Sequence, residues 1–211
     1  MSGQGRPLIA KQTVFIIDDD DAVRDSLAML LRSVELPVET FDSGVGFLER
    51  YRPEIAGCIV LDIRMPKMSG IEVQQRLREL GCRVPVIFIT GHGDIPMAVQ
   101  AIKEGAADFI QKPFRDQDLL DRIHAALAEN TRQRSEDTQR ASLQSCYDSL
   151  TEREREVMGM VVAGKANKVI ALDLNLSQRT VEIHRARVME KMQARSLADL
   201  VKMAIDLEVT K

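Results

Sequence analysis

The sequence predicts an α/β fold, a doubly wound five-stranded parallel sheet, followed by an all-α four-helix domain. Three observations predict it. Four short apolar runs recur along the first half, each running into a charged or hydroxyl residue. Helical periodicity separates each run from the next, the mark of βα units joined by right-handed crossovers. From Leu150 onward the strand pattern stops and only short, capped helical segments remain.

Strand one, Thr13 to Ile17, is β-branched and aromatic and runs into Asp18-Asp19-Asp20-Asp21. Helix one covers Ala22 to Ser33, with Val23, Leu27, Leu30 and Leu31 on one face. Strand two is Val38 to Phe41 and helix two Gly44 to Tyr51. Strand three is Cys58-Ile59-Val60-Leu61-Asp62, continuously apolar until its last residue, as in a strand buried on both faces. Pro66, Ser69 and Gly70 mark a loop, after which helix three runs from Gly70 to Leu80. Strand four ends at Thr90. Helix four covers Ile95 to Glu104 and is closed by Gly105 as its C′ residue. Strand five, Asp108 to Ile110, leads through Gln111 into Lys112-Pro113, and helix five begins near Asp116.

The helical period continues through Leu119, Leu120, Ile123 and Leu127 toward Leu143. Ala128 to Ser145 is polar and charged and holds neither Pro nor Gly, so residues 125–148 read as a solvated helical linker between domains at 12–124 and 149–211. Thr151 and Glu154 form a capping box at the start of a helix carrying Val157, Met160, Val161 and Val162 and stopping at Gly164. Asn167 is placed to cap a second helix, Lys168 to Asn175. Ser177 caps a third, Gln178 to Met192, and Ser196 with Asp199 opens a fourth, ending near Leu207. The tight join Asn175-Leu176-Ser177 makes helices two and three a helix-turn-helix, with the third as the reading helix.

Composition excludes several classes. No apolar run approaches the roughly 18 residues of a membrane span, and Met1 to Gln12 lacks the apolar core of a signal peptide, so a cytoplasmic protein is expected. Cys58, Cys82 and Cys146 are too widely spaced for a metal or redox motif and read as reduced thiols. The net charge of −3 hides an asymmetry: residues 1–124 hold 15 basic and 19 acidic side chains, residues 149–211 hold 11 and 9. An acidic front and a mildly basic back suit different partners.

Asp18, Asp19, Asp62, Thr90 and Lys112 fall at or just beyond the carboxyl ends of four different strands. That edge is where open α/β sheets bind ligands. Three carboxylates, a hydroxyl and an ammonium therefore meet there, while Asp20 and Asp21 suit the positive end of the helix-one dipole. In its order and spacing this set resembles the receiver domain of two-component response regulators, over about residues 13–124. The resemblance implies strand order 2-1-3-4-5 and a phosphoacceptor role for Asp62, supplied by a histidine kinase. It implies Mg²⁺ (or Mn²⁺) held directly by Asp19 and Asp62, through water by Asp18, and by the backbone carbonyl of Arg64. A carboxylate is repelled by an anionic phosphoryl group, and a divalent cation in a shared oxygen shell removes the repulsion. The resemblance also implies that Lys112 pairs with a phosphate oxygen, that its bond to Pro113 is cis, and that Arg64 and His92 flank the acyl phosphate. Thr90 then turns toward phosphate and Phe109 rotates into the space it leaves. The surface of helix four, strand five and helix five would change and self-associate. No turnover of a separate substrate is expected. A haloacid-dehalogenase-type phosphohydrolase needs an acid two residues after its nucleophile, where this chain has Arg64.

Residues 149–206 resemble the LuxR-type helix-turn-helix, on Leu150-Thr151-Glu152-Arg153-Glu154, Asn167-Lys168-Val169-Ile170-Ala171, Ser177-Gln178-Arg179-Thr180-Val181, His184 and Lys191-Met192. Together the two halves resemble the FixJ/NarL class of response regulators, and Thr90-Gly91-His92-Gly93-Asp94-Ile95-Pro96-Met97 points to its FixJ side. The resemblance suggests Glu182, Ile183 and Ala186 for base contacts and Lys168, Arg179, Thr180, His184 and Arg187 for phosphates, with Val181, His184, Val188 and Met192 on the inward stripe. It implies promoter DNA, RNA polymerase and a phosphorylation-dependent homodimer as partners, and activation of transcription. With little net charge per monomer, binding should lean on dimerisation over two half-sites. The last helix, with Leu197, Leu200, Val201, Ala204 and Ile205, is the candidate dimer contact of the output domain.

Overall fold

The structure is a computed structural model that describes residues 12–91 and 95–207. His92 and the residues up to Lys11 lie outside the described residues, as does the end of the chain from Glu208. The chain forms two compact units, Met1–Gln133 and Arg134–Lys211.

The first unit carries β1 (Thr13–Ile17), β2 (Val38–Phe41), β3 (Gly57–Asp62), β4 (Val86–Thr90) and β5 (Asp108–Gln111). They form one sheet of order β2-β1-β3-β4-β5, every neighbour parallel. The register aligns Ile17 with Leu61, Asp62 with Ile89, and Thr90 with Gln111. The carboxyl ends of β1, β3, β4 and β5 are thus nearly level. All six residues of β3 are buried, because helices cover both faces of the sheet. Alternation along the strands builds two cores. Phe15, Ile17, Ile59, Leu61 and Phe88 pack with Phe47, Val73, Leu77 and Ala101 on one face. Val14, Ile16, Cys58, Val60, Ile87 and Ile89 pack with Leu27, Leu31, Leu119 and Ile123 on the other. Each such Leu, Ile or Phe removed from water contributes about 1.5–3 kcal/mol.

The helices are α1 (Asp21–Ser33), α2 (Gly44–Arg50), α3 (Gly70–Glu79) and α4 (Ile95–Lys103). Asp20 is the N-cap of α1, accepting from the amides of Ala22 and Val23, so α1 starts one residue earlier than the apolar pattern suggests. Tyr51 leaves α2 and is buried against Phe47. Ser69 and Glu72 close a capping box on α3. Beyond α4, Gly105 sits at φ +96° with its amide bonded to the Ile102 carbonyl, and the Ala106 amide returns to Ala101. That pair of bonds needs the left-handed conformation glycine takes without a Cβ penalty.

Helix α5 is continuous from Asp116 to Asp148, and the division between the two units falls inside it. The first residues of the expected linker, 125–148, still pack on the receiver: Ala126, Leu127 and Asn130 are buried. Residues from Arg134 are mostly exposed until Leu143, Cys146 and Tyr147, which pack on the core of the second unit around Val157 and Met158.

The second unit adds α6 (Glu152–Val162), α7 (Asn167–Asp173), α8 (Gln178–Lys191) and α9 (Leu197–Asp206) around Val157, Met158, Val161, Ile170, Val181, Val188, Met192 and Leu200. Met158 is fully buried where the sequence pattern favours Met160 and Val162, which are only partly covered. Thr151, Ser177 and Ser196 cap α6, α8 and α9 through their hydroxyls. Asn167 does not cap α7. Helix α7 begins at Asn167 itself, after Ala166, which has no capping side chain. The Asn167 carboxamide is committed elsewhere, its Oδ1 accepting from Arg185 Nη1 at 2.6 Å. Asn175, at φ +53°, supplies the left-handed residue that turns the chain from α7 toward α8. The three cysteines are free thiols, Cys58 buried and the others half-buried.

Candidate functional site

Asp62 ends β3, and Asp18 directly follows β1. The strand β5 is prolonged by a bond from the Lys112 amide to the Thr90 carbonyl, which brings Lys112 level with both acids. The Lys112-Pro113 peptide is cis. Lys112 Nζ donates to Asp62 Oδ1 at 2.9 Å and to Asp18 Oδ2 at 3.1 Å. The other oxygens are also bound: Asp18 Oδ1 accepts from the Asp20 amide at 2.9 Å, and Asp62 Oδ2 from the Arg64 amide at 2.7 Å. Both carboxylates are buried. At Gly70 a Cβ would stand 2.2 Å from the Asp62 carbonyl oxygen, so glycine lets the start of α3 close over the strand end.

Burial pushes the Asp62 carboxyl up from the ordinary Asp range. The hydrogen bond and charge of Lys112 pull it down, the charge of Asp18 raises it again, and the net shift is upward. Burial lowers Lys112, but its bonds and charge contacts with Asp62 and then Asp18 outweigh this and raise it. One ammonium thus serves two buried acids, and the site keeps an excess of negative charge.

Thr90 is fully buried at the end of β4, its hydroxyl donating to the Ile110 carbonyl at a long 3.4 Å. Phe109 on β5 lies beside Phe88 of β4 and is half-buried against the first core. Asp19 is exposed. The structure therefore brings Asp18, Asp62 and Lys112 into direct contact, and leaves Asp19 at the rim. Among the described residues no group of three His, Cys, Asp or Glu stands close enough to hold a metal ion. The donors present are nevertheless hard oxygens with uncompensated charge, the set that suits Mg²⁺. A cleft of about 740 Å³ lies elsewhere, among Val84, Pro85, Ala107, Asp108, Arg122 and Ala126 at the amino ends of β4 and β5.

Val181 and Val188 of α8 and its C-cap Met192 face the core, and the ring of His184 is half-buried, its Nδ1 buried without a hydrogen-bond partner. Arg179, Glu182, Ile183, Ala186 and Arg187 are exposed, as is Lys168 on α7. Ile183 leaves 47% of its surface in water, a large exposure for an isoleucine, between the charged Arg179, Glu182 and Arg187. Thr180 is half-buried beside the cap, 2.8 Å from Ser177 Oγ. The Asn167–Arg185 bond joins the two helices of the motif. Helical spacing gave no signal for it, since the partners lie 18 residues apart.

A family model described as the response regulator receiver domain matches residues 14–124, and one described as bacterial regulatory proteins, luxR family, matches residues 148–204. The response regulator protein TodT of Pseudomonas putida is 49% identical over 189 residues, covering 90% of this chain and 83% of TodT. The transcriptional regulatory protein FixJ of Azorhizobium caulinodans is 47% identical over 192 residues, 91% of each chain. Among solved structures, the response regulator StyR is similar at a TM-score of 0.89 and 47% identity, covering 93% of this chain and 99% of that one. Full-length FixJ from B. japonicum has a TM-score of 0.60 and 40% identity, over 96% and 100%.

Proposed function

The chain belongs to the response regulators of two-component systems, a receiver domain followed by a LuxR-type DNA-binding domain, and on that premise we propose that Asp62 is its phosphoacceptor. The observation that carries this reading is the Lys112 ammonium held between Asp62 and Asp18 at the sheet edge. A carboxylate oxygen of Asp62 attacks the phosphorus of a kinase phosphohistidine. The new P–O bond forms as the P–N bond breaks, and the histidine nitrogen keeps the electron pair. Asp19 and Asp62, Asp18 through water and the Arg64 carbonyl would hold a Mg²⁺ (or Mn²⁺) ion, which would supply the positive charge that offsets the anionic phosphoryl group. Lys112 already contacts Asp62 and needs only a small shift to pair with a phosphate oxygen as a point charge.

Thr90 supplies the switch. Its 3.4 Å bond to Ile110 is long for a hydroxyl donor, so little is lost when it turns toward a phosphate oxygen. Phe109, half-buried one residue from Ile110, takes up the freed space. The exposed apolar residues of α4, Met97, Val99 and Ile102, then support self-association of the receiver. In the output domain α9 buries Leu200 and Ala204 and leaves Leu197 and Ile205 exposed, which supports a second contact between copies.

The dimer presents two copies of α8 to two half-sites of promoter DNA, with RNA polymerase as the further partner and activation as the outcome. Glu182, Ile183 and Ala186 meet base edges; Lys168, Arg179, Thr180, His184 and Arg187 meet phosphates. The chemistry is self-phosphorylation and self-dephosphorylation, without turnover of a separate substrate. No helix among the described residues is long and apolar enough to cross a membrane, and a DNA-binding role suits the cytoplasm. Incubation with acetyl phosphate and Mg²⁺ should add one phosphoryl group to the wild type and none to Asp62→Asn. Equal labelling of both removes Asp62 from the role.

A further inference from the structure

We propose that Asn130 is the positioning residue that fixes where the long helix leaves the receiver, and that passage of the phosphorylation signal to the DNA-binding domain depends on it. Three observations carry this. Asn130 is the last buried residue on the receiver part of α5, with 1% of its surface exposed, and it is polar where Leu119, Leu120, Ile123, Ala126 and Leu127 are apolar. Its Oδ1 accepts from the Gly57 amide at 3.0 Å, in a buried bond spanning 73 residues. Gly57 is the first residue of β3, whose last residue is Asp62. The footing of the helix and the acceptor carboxylate therefore stand at opposite ends of one six-residue strand.

The pin is specific in a way an apolar contact is not. An apolar helix face can slide or turn by a fraction of a residue and repack. A buried carboxamide bonded to one amide has a single low-energy seat, because any other leaves both groups unpaired in the interior. Gly57 has no freedom to follow a shifted helix. Its φ is +140°, and a Cβ there would meet the Thr13 carbonyl oxygen at 1.8 Å, so the first residues of β3 and β1 are pressed together. Gln12, just before β1, adds an outer clasp. Its Nε2 donates to the Leu127 carbonyl and to Thr131 Oγ1, each at 2.7 Å. Three residues past Asn130 the first compact unit ends.

The inference rests on Asp62 being the acceptor, and the test separates the two. Wild type, Asn130→Leu and the outer-clasp variant Gln12→Ala are treated with beryllofluoride and Mg²⁺, and phosphorylation by acetyl phosphate is followed by mass. Binding to a promoter fragment retained by the activated wild type is then titrated. Asn130→Leu should accept phosphoryl as the wild type does, yet lose at least tenfold of the activation-induced gain in DNA affinity. Gln12→Ala should keep most of that gain. A gain within twofold of wild type in Asn130→Leu overturns the proposal. Absence of phosphorylation in all three overturns the reading of Asp62 instead. Should Asn130→Leu fail to fold, amide exchange of the wild type decides. Protection of residues 127–133 that matches that of the Gly57 amide supports a pinned footing; exchange there far faster than at Gly57 overturns it.

Discussion

Lys112 holds Asp62 at 2.9 Å with the same ammonium that holds Asp18 at 3.1 Å, so a single cation is shared by two buried acids, one ending β3 and one just after β1. Removing it in Lys112→Met leaves both carboxylates in the interior without a counter-charge. The ammonium end is partly exposed, with 31% of the side chain in water, which tempers the cost. A loss of about 1–3 kcal/mol in urea unfolding is expected, with phosphorylation slowed severely. A variant as stable as wild type would show that water or a shift of the acids replaces the lysine.

Two carboxylates should respond to pH with opposite sign. The Asp62 pKa is raised in the folded state, chiefly by burial, so the native form holds its proton more tightly than the unfolded chain does. Its effect on stability is favourable in acid and is lost as pH rises from about 3.9 through the folded value. Asp62→Asn should therefore melt higher than wild type at pH 7, and the gap should close on acidification. Glu154 is the reverse case. The bond from Lys191, then those within the capping box, hold its carboxyl below the ordinary Glu range. Its contribution is present above about 4.3 and lost as pH falls through the folded value. Glu154→Gln should melt lower at neutral pH and converge with wild type in acid. Calorimetry across pH 3–7 on the three proteins, roughly in half-unit steps, checks both signs.

Thr90→Ala should separate chemistry from output. The hydroxyl makes only a 3.4 Å bond, so its removal costs stability little, about 1 kcal/mol or less. Asp62 should still be phosphorylated, while the phosphate-dependent gain in mass and DNA affinity is lost. An unchanged gain would remove Thr90 from the switch.

Base and backbone contacts on α8 should be distinguishable by salt. Ile183→Ala and Glu182→Ala are expected to cost about 1–3 kcal/mol on the cognate site and little on random DNA. Arg187→Ala and Lys168→Ala should weaken both, and each should reduce the slope of log K against log salt by about one. Fluorescence anisotropy at several salt concentrations reads both effects. Equal loss on cognate and random DNA for Ile183→Ala would place it outside base readout.

Much of this was legible in the chain. The strand ends were plain because each apolar run stops at a polar residue that the sheet carries to its edge, as at Ile17-Asp18 and Leu61-Asp62. Capping was legible at Thr151, Ser177 and Ser196, because the hydroxyl and its target amide lie three residues apart. Long-range polar bonds were not. Asn167 looked like a cap, yet its carboxamide serves Arg185. Asn130 lies in a polar stretch whose composition predicts solvent exposure, but it is buried on Gly57. The turn of α6 that buries Met158 differs from the one apolar periodicity favoured, because Val157, Met158, Met160, Val161 and Val162 are too uniformly apolar to fix the phase. At the acidic run the resemblance makes Asp19 a direct metal ligand and Asp18 one through water; the structure leaves Asp19 exposed at the rim and buries Asp18 on Lys112.

Coupling of Asp62 to the output is read by following mass and DNA binding together, for wild type and Asp62→Asn, with and without beryllofluoride and Mg²⁺. A Mg²⁺-dependent shift to dimer with tighter promoter binding is expected in the wild type alone. Modification of Asp62 that leaves both mass and DNA affinity unchanged would contradict it.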